Sequence, residues 1–312
     1  MTRQRLMWRM QRWELAFLVG GCLLLALVMA IVAWQIDGSR DALTACYADS
    51  AELVSAECRS TIDWGNTLAA AVGILASMAI VAPFGIGIFL GAPLVAREIE
   101  HWTAPIAWSL SRSRRAWLVQ RALPVIVLVA VALLALGQAS ELMLTTAEQR
   151  ELGFGQYGMF GPMVAARGLA VLGIGLVVGL ALGRVLPAVL VTALATVVLV
   201  AGLSIGRDLV MREEAVWRPM GDGSETVHMV FDSGFQSDET GEVITWEQAF
   251  NDYPDAFTEF GEGTPPGMSA VWKIVPPEQF GVYAAREIGA LALTAVLLGG
   301  VALLLVGRRR PE

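Results

Sequence analysis

The chain has 312 residues, of which 55% are hydrophobic and 16% charged, and its mean hydropathy is +0.59. No water-soluble domain of this length carries so much apolar surface, so the composition excludes the soluble classes and indicates a polytopic membrane protein. The formal net charge of −7 does not argue against a membrane, because the two signs are segregated along the chain.

Six apolar runs, at 15–36, 68–90, 118–138, 163–182, 185–205 and 288–306, are each long enough to cross about 30 Å of hydrocarbon, which takes roughly 20 residues. Before the first run, residues 1–14 set Leu6, Met10 and Trp13 on one face among Arg3, Arg5, Arg9 and Arg12. That is the pattern of an amphipathic connecting helix in the inner headgroup layer, and the arginines serve equally as topology determinants. The first run is longer than a signal peptide's apolar region and is followed by a polar loop, so it reads as an uncleaved signal anchor.

The loop 37–63 is acidic and contains Cys46 and Cys58, while Cys22 sits inside the first span as a small apolar residue. An oxidising exterior permits a Cys46–Cys58 bridge, worth on the order of 3 kcal/mol by loop closure, against the alternative of two free thiols. Neither His101 nor His228 lies near a cysteine in sequence, so no metal site is expected. In the second span, Pro83 with Gly85, Gly87 and Gly91 allows a kink and a close helix approach.

The segment 91–121 is the one sizeable polar stretch that charge asymmetry assigns to the inside. Val95, Ile99, Trp102 and Ile106 recur at spacings that form one stripe on a 3.6-residue helix, with Arg97, Glu98, Glu100 and His101 off it. Pro105 ends that helix and suits the first turn of a short new one over 105–110, before Ser111, Arg112 and Ser113 break the chain again. The expected result is an elbow, a short crosswise helix and a turn back to the membrane.

Further along, Gly175, Gly179 and Gly183 are spaced by four and form a smooth helix face for packing against another span. Arg167 lies about one turn inside the outer end of the fourth span, from which it is expected to snorkel. The segment 207–287 is too long for a plain connection and should carry structure of its own. A hairpin is expected between 227–231 and 243–246, and Thr245 with Gln248 fits a capping box opening a short helix. The aromatic stretch from Trp272 to Ile288, with Pro276 and Pro277, is expected to lie on the outer interface.

Orientation follows from arginine. The segments 1–14, 91–121, 183–184 and 307–312 carry 13 basic and 4 acidic residues, while 37–63, 141–161 and 207–287 carry 8 basic and 25 acidic ones. The first set belongs inside, with both termini, and the second outside. The expected fold is therefore all-α with six transmembrane helices and a large mixed extracellular segment between the fifth and sixth.

The 91–121 stretch resembles the loop between the second and third spans of type-2 ABC exporter permeases. Arg97, Glu98, Ile99 and Glu100 match the acidic, Arg-Glu-rich helix end, Thr103 the threonine, Ser111 with Arg112 or Ser113 with Arg114 the Ser-Arg pair, and Arg121 the basic position. Trp102 stands where that pattern usually has glycine. The amphipathic start and the large segment before the sixth span extend the resemblance over most of the chain. It implies an exporter permease that pairs with a second permease chain and couples through Arg97, Glu98, Glu100, Trp102, Thr103, Trp108, Arg112, Arg114, Arg115 and Arg121 to a separate ATP-binding subunit, usually in two copies. ATP and Mg would belong to that partner. This chain has no G-x-x-x-x-G-K-[ST], its single lysine is Lys273, and it has no H-E-x-x-H or G-x-S-x-G, so neither a cofactor nor an enzymatic role is expected in it.

Two other classes compete: a membrane sensor using the large exterior segment, and an intramembrane enzyme, which would need paired ionisable residues within the spans. Nothing points to nucleic acid. Arginine outnumbers lysine 21 to 1, a codon signature of GC-rich genomes, so the expected location is a bacterial cytoplasmic membrane.

Overall fold

The computed structural model describes residues 3–48, 56–148, 153–220, 229–257 and 263–308. Its helices are α1 Arg3–Ala48, α2 Ala56–Gly91, α3 Pro93–Glu100, α4 Ala104–Ser109, α5 Arg114–Glu148, α6 Gly161–Leu182, α7 Val185–Glu214, α8 Trp246–Asp252 and α9 Phe280–Arg308. Six segments, carried by α1, α2, α5, α6, α7 and α9, are long and apolar enough to cross a membrane. The chain divides into two compact units: Met1–Glu151, Gly158–Leu199 and Ala285–Glu312 form one, Leu152–Tyr157 and Val200–Ala284 the other.

In the helical unit, α1 packs on α2 and α5, and α6 packs on α2 and α5. Met29, Ala79, Val129, Leu133, Leu136 and Val164 are fully buried between them. The helices are longer than their apolar runs. α1 spans 46 residues without a break near position 14, about 69 Å at 1.5 Å per residue, so the expected separate connecting helix is continuous with the first span. The expected loop 37–63 is mostly helix as well, since α1 runs to Ala48 and α2 starts at Ala56. Cys46 and Cys58 are joined, with S–S 2.07 Å, and the bridge ties the end of α1 to the start of α2. Beside it, Arg40 donates to the Thr146 carbonyl at 2.9 Å, satisfying one of the carbonyls that the end of α5 leaves open.

Small residues set the α2–α6 contact. A Cβ on Gly87 would lie 2.7 Å from Val171, and one on Gly91 would lie 2.6 Å from the Leu172 carbonyl. From the other side, a Cβ on Gly175 would lie 2.7 Å from the Ala92 nitrogen, and one on Gly179 would strike the Ala92 carbonyl. Gly183 does something else: it caps α6 with φ 65°, a left-handed conformation that glycine adopts at no steric cost. The spacing of four continues past a helix that has already ended.

Arg167 does not snorkel. Its guanidinium reaches Glu287 on the second turn of α9, with Nε and Nη2 at 3.1 and 2.7 Å from the same oxygen. Both side chains are largely buried, at 15% and 7% exposure. A buried arginine within reach of a carboxylate gains more from pairing than from stretching to distant headgroups.

The other unit contains an antiparallel sheet ordered β1-β4-β2-β3, with β1 Val216–Pro219, β2 Met229–Ser237, β3 Val243–Thr245 and β4 Met268–Val275. The hairpin exists, but Val243 to Thr245 pair with Gly234 to Gln236, further along β2 than expected. Met229 and Val230 pair instead with Val275 and Ile274, and Phe231 falls at the register shift between Val230 and Asp232; Trp246 opens α8 rather than extending β3, and Val227 and His228 lie outside the described residues. Of the aromatic stretch Trp272 to Ile288 expected on the interface, residues Trp272 to Val275 complete β4, an interior strand flanked by β1 and β2, and those from Phe280 open α9. Burial on both faces accompanies this: Val271 and Val275 are buried on one face and Ile274 on the other, which an interior strand allows. The capping box forms, with Thr245 accepting from Gln248 N–H and the Gln248 side chain accepting from Thr245 N–H. Phe154, Tyr157, Phe280 and Tyr283 stack around buried Met211.

Candidate coupling site

The chain between α2 and α5 folds into two short helices. Pro93 sits at the start of α3, where the missing N–H costs nothing. α3 ends at Glu100, and the turn passes through Trp102 with φ 57°, the one non-glycine residue of positive φ among the described residues. Thr103 holds the turn by donating from both its N–H and its hydroxyl to the Glu98 carbonyl, at 3.0 and 3.1 Å. The expected stripe is therefore split. Val95 is buried on α3, whereas Trp102 lies in the turn and Ile106 is exposed on α4. A positive φ is what a glycine at this position in the permease pattern would supply; here Trp102 adopts it at a cost of about 1–2 kcal/mol.

Four attachments fix the elbow to the spans. Arg121, on the second turn of α5, pairs with Glu98 and donates from Nε to the Leu94 carbonyl at 2.8 Å. Glu100 accepts from the Val185 N–H at 2.8 Å, so a carboxylate caps the open amides and the positive dipole end of α7. Ala92 and Ala96 are fully buried with Ala188, against Val178, Val185 and Val189. α4 is tied to α5 by Trp108 and Trp117, whose rings meet edge to face at 6.0 Å. The Arg114 guanidinium lies 5.1 Å above Trp108, within cation–π range.

The outward side of the turn and α4 is apolar. Trp102, Ile106 and Leu110 are 68%, 63% and 61% exposed and follow one another at intervals of four, which sets Ile106 and Leu110 on one helical face beside the Trp102 turn. Arg112 is exposed in the next turn, and Arg115 is exposed against Gly307 of α9. Arg97 is half-buried on α3.

Of the residues expected to couple, Glu98 and Arg121 thus face each other inside the protein, Glu100 holds α7, and Trp108 and Arg114 hold α4. The sequence reading missed Trp117, Val185 and the apolar face. The face carried a signal, the four-residue spacing of Trp102, Ile106 and Leu110, which assigning Trp102 and Ile106 to one stripe with Val95 and Ile99 obscured.

A bundle with six segments long and apolar enough to cross a membrane, the second followed by two short helices anchored to the others, is the architecture of a polytopic membrane protein. The chain belongs to the ABC-2 membrane transporter related family, whose pattern matches residues 19–206, more than half of its length and inclusive of the elbow. It is an ABC-2 type permease, the membrane part of a transporter rather than its catalytic part. Neither a curated protein nor a solved structure matches it.

Proposed function

We propose that the chain forms the translocation pathway of an ABC exporter and that α4 docks a separate ATP-binding subunit on the cytoplasmic side. The carrying observation is the exposed apolar row of Trp102 in the turn, Ile106 on α4 and Leu110 at its end, beside a helix whose other side is locked to α5. A solvent-facing row of three large apolar side chains is expected to be covered by a partner. Movement of α4 then reaches α5 through Trp108 and Trp117, while the Glu98–Arg121 pair and the Glu100 cap link α3 to α5 and α7. Two such chains would complete the pathway, with ATP and Mg held by the partner.

Arg167 and Glu287 are a pair of ionisable residues within the spans, but the family is that of a transporter's membrane component, which favours transport over an intramembrane enzyme. Family membership favours transport over a sensor.

Docking and transmission are separable. Ile106→Glu with Leu110→Glu should abolish co-purification with the ATP-binding subunit while leaving membrane insertion intact. Glu98→Gln should preserve co-purification and lower transport-stimulated ATP hydrolysis. Unchanged co-purification of the Ile106, Leu110 double variant would sink the docking role of α4.

A further inference from the structure

The ends of α6 and α9 and the elbow surround a cavity of about 880 Å³, lined by Trp102, Pro105, Leu182, Arg184, Leu305 and Arg308 among others. Arg184 occupies the turn between α6 and α7, and Arg308 the last turn of α9. Neither has a carboxylate partner among the described residues. The one carboxylate on the cavity wall belongs to Glu100 and is engaged by the Val185 N–H. Two arginines therefore face a space whose remaining walls are largely apolar, formed by Leu180, Leu182 and Leu305 with the two tryptophans Trp102 and Trp108.

We infer that this cavity binds an anionic phospholipid. The arginines receive the headgroup phosphate, and the leucines carry the upper part of the acyl chains. Three features select this occupant. The cavity lies where apolar spans end, which is the depth of the headgroups. Basic pockets between spans attract anionic headgroups by charge, and guanidinium groups match phosphate oxygens geometrically. The tryptophans provide the amphipathic wall favoured at that depth. Because the wall includes Glu100 and Trp108, the lipid touches two of the residues that hold the elbow in place, and its presence would stiffen the elbow. The inference stands whether or not α4 docks an ATPase.

The test is native mass spectrometry of the purified chain from mixed micelles containing phosphatidylglycerol or phosphatidylcholine. The wild type should retain phosphatidylglycerol in preference. Arg184→Gln with Arg308→Gln should lower that retention about thirtyfold, for two basic residues at about 1 kcal/mol each, without changing phosphatidylcholine. Arg112→Gln with Arg115→Gln removes the same charge outside the cavity and should leave retention unchanged. If the cavity double variant does not fold, the single Arg308→Gln should lower retention about fivefold. Equal retention of the two lipids, or equal loss in both double variants, overturns the proposal. So does wild type that retains neither lipid while the cavity variant loses the ATP-binding subunit, which would make the cavity a seat for that protein.

Discussion

Among single residues, Arg167 and Glu287 are, like Glu98 and Arg121, charged groups that are expensive to bury. Each loses several kcal/mol of hydration, and the pair recovers it only while both members are present. Glu287→Ala leaves the guanidinium uncompensated and should destabilise the helical unit by about 3–5 kcal/mol, seen as a lower thermal midpoint in detergent. Arg167→Met with Glu287→Leu should restore most of the loss, since an apolar pair of similar volume replaces a buried ion pair at little cost. A double variant as unstable as the single would show that the charges contribute through something other than each other. Only half of this pair was legible in the sequence. Arg167 stood out as a lone charge in an apolar run, but Glu287 fell at the edge of an acidic segment. α9 begins at Phe280, about two turns before hydropathy rises, and a partner 120 residues away leaves no local pattern to read.

For whole elements, what was local was readable and what depended on a second element was not. The capping box at Thr245 and the Pro-started turns of the elbow lie within a few residues and appear as expected. The stripe from Val95 to Ile106 satisfied the helical period, yet periodicity does not register a backbone that turns left-handed at Trp102. The glycine face of α6 is the instructive case, because spacing revealed Gly175 and Gly179 but not how near their neighbour comes. A Cβ on Gly175 must displace the backbone of Ala92, 2.7 Å away, whereas one on Gly73 of α2 meets nothing within 4 Å. Gly175→Ala should therefore lower stability by about 1–3 kcal/mol. Gly73→Ala should be neutral or stabilising by up to about 1 kcal/mol, through helix propensity. Thermal midpoints of the two variants in the same detergent decide the matter, and equal shifts would mean that α2 and α6 are not held at backbone contact.

For the whole molecule, composition alone indicated six spans, because apolar length is a property that no tertiary contact can conceal. The four-stranded sheet was much less legible, since its central strand β4 pairs with residues more than 30 positions earlier on both sides. Orientation rests on charge: 13 basic against 4 acidic residues in one set of segments, 8 against 25 in the other. Acidic residues contribute little to insertion, so the weight falls on the arginines near the span ends. Chemistry offers an independent marker, because the Cys46–Cys58 bridge requires an oxidising compartment, and both cysteines lie in the set assigned outside. Residue 239 belongs to that set and residue 112 to the other, and the side chains of Glu239 and Arg112 are exposed. Glu239→Cys should therefore react with a membrane-impermeant maleimide in intact cells, whereas Arg112→Cys should react only after the membrane is opened. Native Cys22 is buried and the other two cysteines are bridged, so background labelling should be low. Because three spans separate the two positions, labelling of both from the same side would require an even number of crossings between them and would end the six-span arrangement together with the cytoplasmic placement of the elbow.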